Sequence, residues 1–383
     1  MTDWKYYQNN YPVNQNLIWL NNCGTTPAST DTKNSIMRYL EGYAEKGVLS
    51  EVEKYPSVRK SIIRILSKLL NCEEEELGII HNTSEGMNFI SWGFNLKQND
   101  EILLLENEYP SNVYPWNHWK EHGVKIDFIP QGLTPEEFFF NLKSKTTSHT
   151  KVISISAVHW CTGMPLPIEK IGDFCSQHSI DLVIDGAQGV GHVDIDVKKC
   201  KIPFMAFSAW KWLLGPIGLG VIYVNKEKLK TIKNAFLGQN SVVEADEYLP
   251  YKEEIRLGAE RFEYSTVNFM DWVYFKSILE TLDKIGFPTV MARIYDLANY
   301  LKSGLKSIGY EVLSDRFPEN NTGIIACYKQ GTNTQNTFQY LKNNGIVGAL
   351  RLGNLRFAPH IYNSEEQLDK VVQMLKNSDN QPL

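Results

Sequence analysis

The chain has 383 residues, 43% of them hydrophobic and 22% charged, and a formal net charge of −5 at pH 7. That length has room for about two domains of ~150 residues around a large core, and the composition is that of an ordinary soluble globular protein. The acidic balance and the scattered lysines and arginines exclude a surface built for nucleic acid or anionic lipid.

No apolar run approaches the ~20 residues that cross a bilayer, so no membrane partner is expected. The stretch Met1 to Asn10 lacks the apolar core of a signal peptide. Six cysteines, Cys23, Cys72, Cys161, Cys175, Cys200 and Cys327, are widely spaced and form no C-x-x-C pair. A disulfide framework and a metal site are therefore not expected, and the reading is a cytoplasmic protein.

Pro56 opens an amphipathic segment whose apolar positions Val58, Ile62, Ile65, Leu66 and Leu69 follow helical spacing, with Asn71 as its stop. A short strand at Ile79-Ile80 precedes a helix over Ser84 to Phe94. Strands are predicted at Ile102–Leu105, Val124–Ile129, Val152–Ile155, Leu182–Ile184, Phe204–Phe207 and Gly220–Val224. Short apolar strands alternating with helices predict an α/β fold with a mostly parallel sheet covered on both faces. Near residue 270 the pattern changes to a long helix, Phe269 to Ile285, a second helix after Pro288, strands near 310–313 and 323–328, and helices at Thr334–Asn343 and from Ser364. The expected organisation is a large domain over 21–265 and a smaller α+β domain over 266–383, with segment 1–20 associated with the smaller one.

Two strand ends carry the chemistry. Ile180 to Ile184 stops at Asp185-Gly186-Ala187-Gln188, and Phe204 to Phe207 runs into Ser208-Ala209-Trp210-Lys211. In such a sheet, ligands sit at the carboxyl ends of the strands. A lysine beside a carboxylate there is what pyridoxal 5′-phosphate requires: the amine forms a Schiff base with the aldehyde, and the carboxylate keeps the pyridine nitrogen protonated. An aspartate ending a strand is often only a turn residue, and most lysines are surface groups. Lys211, however, lies between Trp210 and Trp212 in an apolar run, where a desolvated amine becomes nucleophilic.

Asp185-Gly186-Ala187-Gln188, Ser208-Ala209-Trp210-Lys211 and Gly215-Pro216-Ile217-Gly218 together resemble class V of the pyridoxal-phosphate-dependent aminotransferase superfamily. That group includes cysteine desulfurases, kynureninases and isopenicillin-N-epimerase-like proteins. The resemblance extends from Leu20 to Ser364 and implies the fold-type-I architecture, with pyridoxal phosphate as cofactor. Position by position it implies Lys211 as the Schiff-base lysine, Asp185 as partner of the ring nitrogen and Gln188 as donor to the ring oxygen. In His81-Asn82-Thr83-Ser84-Glu85, the hydroxyls of Thr83 and Ser84 at a helix start suit the cofactor phosphate, although either would equally serve as a simple cap. Ser208 is a second phosphate candidate. Tyr109 stands where the family places an aromatic ring on the cofactor; stacking needs only a π face. Thr266 would reach the phosphate of a neighbouring subunit, which implies a homodimer. Arg356 resembles the arginine that grips a substrate carboxylate, with Arg351 as rival, and Asn21 and Trp160 fall on the substrate side.

Cysteine desulfurases need a thiolate on a mobile loop shortly before that arginine, and the stretch from Asn344 to Arg351 holds none. Trp210 and Trp160 also replace polar residues of those enzymes. The resulting expectation is an enzyme acting on a small-molecule substrate, an α-amino acid, by removing its Cα proton, first of all an aminotransferase, with elimination or epimerisation left open. A C–S lyase or cysteine desulfurase is the alternative, and a cofactor-free binding scaffold the non-enzymatic one. The two tryptophans predict an apolar, aromatic-tolerant pocket.

Overall fold

The computed structural model describes residues 2–50, 52–317 and 322–378. A short strand β1 (Ile18–Trp19) is followed by two helices, Thr30–Lys46 and Tyr55–Leu70. In the second, Pro56 sits at the start, Val58, Ile62, Ile65 and Leu66 are buried, and Asn71 ends the helix in the left-handed conformation. That is what the 3.6-residue spacing requires of a helix with one core face.

Seven strands then build one sheet: β2 (Leu77–Ile80), β3 (Glu101–Leu105), β4 (Lys125–Ile129), β5 (Thr150–Ser156), β6 (Asp181–Asp185), β7 (Phe204–Ser208) and β8 (Gly220–Val224). Their order is β2-β8-β7-β6-β5-β3-β4. The run from β4 to β7 is parallel, whereas β8 joins both β7 and β2 antiparallel. Sequence pattern alone did not distinguish these directions, because strands buried on both faces read alike in either. The register places Ser156 of β5 opposite Asp185 of β6, and Ser208 of β7 opposite Gly220 of β8. Three chemistry-bearing strand ends thus meet at one edge.

The helix Thr83–Gly93 lies unusually close to this edge. A Cβ on Gly86 would stand 2.6 Å from the Ala206 methyl, and one on Gly220 would stand 2.9 Å from the Asn82 Cα. Both glycines let the start of the helix sit directly over β7 and β8.

A second sheet contains β9 (Glu311–Val312), β10 (Ile325–Tyr328), β12 (Ala349–Arg351) and β13 (Asn354–Phe357), all antiparallel, while β11 (Ile346–Val347) pairs in parallel with β1. Helices Phe287–Ser307 and Glu365–Ser378 cover it, and Leu20, Leu301, Ile325, Leu355 and Leu368 share its core. The long helix Phe269–Ile285 packs on the helices Thr30–Lys46 and Tyr55–Leu70, so Phe269, Trp272 and Phe275 belong to the core of the large sheet. Among the described residues no helix is long and apolar enough to cross a membrane.

Candidate active site

A cleft of about 690 Å³ opens at the carboxyl ends of β5 to β7. It is lined by Asp185, Gln188, Lys211, Ser208, Thr83, Ser84, Tyr109, Trp160, Asn21 and Arg356, every cleft residue singled out from the sequence except Thr266. Such a space accommodates a flat ring cofactor together with an amino acid.

Asp185 is buried at the end of β6, and its Oδ1 accepts a hydrogen bond from the Ala187 N–H at 2.9 Å. Lys211 faces it from the turn after β7. Burial pushes the Asp185 carboxyl up, opposed by Lys211 and the Ala187 N–H. Burial likewise pulls the Lys211 ammonium down, opposed by Asp185. The direction for the lysine is the one a nucleophilic amine needs. Asn22, fully buried, donates from Nδ2 to the Lys211 carbonyl at 3.1 Å and is held in turn by the Tyr362 hydroxyl. It fixes the backbone from which the amine projects.

The Lys211 Nζ lies 5.6 Å from the centroid of the Tyr109 ring, and Trp160 meets that ring edge-on, 5.6 Å between centroids. The two tryptophans beside Lys211 part company. Trp210 lines the cleft. Trp212 is buried beneath it, stacked on His192 at 3.9 Å, with its indole N–H donated to the Gln188 Oε1 at 3.0 Å. The Gln188 Nε2 donates to the Cys23 carbonyl at 2.8 Å, so the side chain is fixed at both ends and keeps a second amide hydrogen. His192 and His360 are buried, and burial pulls both imidazoles down to about 3. His192 donates from Nδ1 to the Gln188 carbonyl and accepts the Gly323 N–H on Nε2, which leaves it no role in proton transfer.

The helix cap resolves an ambiguity of the sequence. Asn82, not Thr83 or Ser84, caps the helix Thr83–Gly93, its side chain accepting the Glu85 N–H at 2.9 Å. The Thr83 hydroxyl is therefore released, and it is buried without a hydrogen-bond partner, as is the Ser208 hydroxyl. Ser84 donates to the Ser111 hydroxyl at 2.9 Å. Two orphaned buried hydroxyls beside the open start of a helix are a defect unless an anion satisfies them. Pyridoxal phosphate fits this arrangement: the hydroxyls would suit its phosphate, the buried carboxylate its ring nitrogen, and the amine its aldehyde.

Arg356 projects from β13 and donates to the Trp160 carbonyl at 2.5 Å, while its Nε has no partner. Arg351 also lines the cleft, but it is exposed and donates to the Leu350 carbonyl. The Asn21 Oδ1 is buried without a partner. Two arginines and this asparagine join the tryptophans in the lining of the cleft. Thr266 is exposed and lines a separate depression with His81 and Gly218; Gly218 also borders the cleft. Cys327 is fully buried within β10, and its burial pushes the thiol far up. Reasoning from sequence missed Asn22, Ser111 and the carboxylate of Glu108, which lies just behind Asp185.

The chain is 26% identical over 388 residues to a protein of Pyrococcus abyssi named probable cysteine desulfurase, covering 95% of each. It is 28% identical over 363 residues to a cysteine desulfurase of Escherichia coli O7:K1, covering 87% of this chain and 86% of that one. The fold superposes on the cystine C–S lyase C-DES, solved with cysteine persulfide, with a TM-score of 0.88 at 21% identity, covering 96% of this chain and 99% of that one. The family described as Aminotransferase class-V matches residues 18–371, and the protein belongs to it as a pyridoxal-phosphate-dependent enzyme.

Proposed function

We propose that this enzyme is a C–S lyase that cleaves the Cβ–S bond of a cysteine- or cystine-type amino acid by β-elimination, without a persulfide-carrying thiol of its own. The relatives' names favour carbon–sulfur chemistry over the plain transamination expected from the sequence. The observation that carries the reading is the stretch 344–351, which forms β11 and β12 and holds no cysteine, together with the burial of Cys327 in β10. Neither offers a thiolate to take sulfur from the substrate. Elimination needs none.

When bound, pyridoxal phosphate supplies an aldehyde that takes the substrate amine and a ring that accepts the electron pair left at Cα. In this proposal Asp185 holds the proton of the ring nitrogen, and Gln188 offers its free amide hydrogen to the ring oxygen. Thr83, Ser84 and Ser208 hold the phosphate, and Tyr109 covers the ring face. Arg356 grips the substrate carboxylate with its planar fork and so fixes which Cα bond stands perpendicular to the ring. Asn21 and Trp160 border the substrate. The Lys211 amine would remove the Cα proton as general base. The Cβ–S pair leaves with the sulfur, which takes up a proton; water then converts the remaining fragment to pyruvate and ammonia.

The proposal extends to a homodimer in which Thr266 of a second copy completes the phosphate site. Its support is that Thr266 lines a depression separate from its own cleft, while Ile217, which borders the cleft, is 67% exposed. An exposed apolar side chain at a cleft mouth fits cover by another subunit. A cytoplasmic setting belongs to the same reading.

The test is to supply the enzyme and pyridoxal phosphate with cystine, then cysteine, and assay pyruvate, ammonia and released sulfur. Equimolar pyruvate and sulfane sulfur are expected from cystine, and equimolar pyruvate and sulfide from cysteine. A 2-oxo acid that retains its sulfur would assign transamination instead.

A further inference from the structure

Glu108 has no part in the reading above, yet its setting is too costly for a loop residue. It lies between Asn107, which is left-handed with φ 59°, and Tyr109, and is 8% exposed. Its Oε1 accepts from the Ser156 hydroxyl at 2.5 Å and the Tyr109 N–H at 2.7 Å. Its Oε2 accepts from the Ser156 N–H at 2.8 Å and the Asn112 Nδ2 at 3.3 Å. All four donors are neutral. A buried carboxylate without a cation is expensive, and a packing role alone would be met by a neutral side chain.

Ser156, which supplies two of those donors, is the register partner of Asp185. Glu108 therefore stands directly behind the carboxylate that faces Lys211. The charged and titratable groups around it are few. Asp185 at the end of β6 repels it, and Lys211 from the turn after β7 is the cation on the far side of Asp185. His159, after β5, donates from Nε2 to the Asn107 carbonyl and is kept neutral by burial. Burial, with help from Asp185, pushes the Glu108 carboxyl up to about 7, so it gains its charge as the pH rises through neutrality.

We infer that Glu108 is a positioning residue with two linked tasks: it pins Tyr109 over Lys211, and as a second carboxylate behind Asp185 it strengthens the hold of Asp185 on the proton of the cofactor ring nitrogen. The hydrogen bond from the Tyr109 N–H performs the first task. The second follows from Coulomb interaction in a water-poor site, where a further negative charge raises the proton affinity of its neighbours. This inference rests on Asp185 and Lys211 holding pyridoxal phosphate as proposed above.

The test is Glu108→Gln, read in three ways on the full chain loaded with pyridoxal phosphate: the visible absorbance of the lysine–cofactor adduct against pH, the cofactor dissociation constant by dialysis, and the melting temperature. Removing the charge is expected to lower the protonation midpoint of the adduct by about half to one pH unit, and Glu108→Asp is expected to restore most of that shift. A folded, loaded Glu108→Gln protein with the wild-type midpoint overturns the inference and leaves Glu108 a packing residue. Should Glu108→Gln not fold, Ser156→Ala removes one donor from Glu108 and is expected to move the midpoint in the same direction; an unchanged midpoint there also overturns it. A wild-type chain that develops no adduct absorbance overturns the cofactor reading itself, a distinct failure.

Discussion

The ammonium of Lys211 lies 5.6 Å from the centroid of the Tyr109 ring, although the two residues leave different strands, β7 and β3. Between them is the space that a cofactor ring occupies in the proposed function. Trp160 closes the outer side of that space against Tyr109, and Asp185 forms its floor.

Tyr109 is expected to act through its face rather than its hydroxyl. Tyr109→Phe should leave the cofactor dissociation constant within about twofold of wild type, while Tyr109→Ala should weaken it by about 2- to 10-fold, the worth of an aromatic stack. Equilibrium dialysis separates the two, and a large loss in Tyr109→Phe would assign the hydroxyl a role of its own.

Two arginines border the cleft, and their burial differs. Arg356 is 2% exposed with an unpartnered Nε, whereas Arg351 lies in the open. Arg356→Lys is expected to lower kcat/KM by about 10- to 100-fold through loss of the forked pair of charge-assisted bonds. Arg351→Lys should cost far less. Equal losses in steady-state assays would mean that the carboxylate is shared.

The proposal that Cys327 carries no sulfur is directly testable. Cys327 is packed between register partners Leu355 and Val312. Cys327→Ala should reduce stability by about 1 kcal/mol and leave pyruvate formation unchanged at a temperature where the variant is folded. Loss of sulfur release alone would restore a persulfide relay.

Acid should destabilise the fold through its buried imidazoles. His192 and His360 are held neutral down to about 3 in the folded chain, whereas an unfolded histidine takes its proton near ~6.5. Their contribution is present above the unfolded value and is lost as the pH falls from there towards 3, because the unfolded chain then binds the extra protons. Denaturant titrations across that range should show a slope reduced by about 1.4 kcal/mol per pH unit in His360→Gln. An unchanged slope would mean that His360 already carries its proton in the fold.

The periodic elements were legible because their causes are local. The apolar strands β3 to β8 and the helix Phe269–Ile285 follow from side-chain pattern, and the strand-end residues Asp185 and Lys211 from where the pattern stops. The short strands β11 to β13 were not legible, since two to four residues carry too little periodicity. Asn22 and Glu108 escaped for another reason. Alone, each reads as a loop residue; Asn22 acquires its task only across 189 positions, at the Lys211 carbonyl, and Glu108 across 48, at Ser156. The cap stayed open in the sequence because Asn82, Thr83 and Ser84 are all competent caps, and only the geometry selects Asn82.

The most direct test of the account is to load the purified chain with pyridoxal phosphate, reduce it with borohydride and map the modified peptide by mass spectrometry. One pyridoxyl group per chain on Lys211, absent from Lys211→Ala, is the expected result. Modification spread over surface lysines, with Lys211 unlabelled, would contradict it.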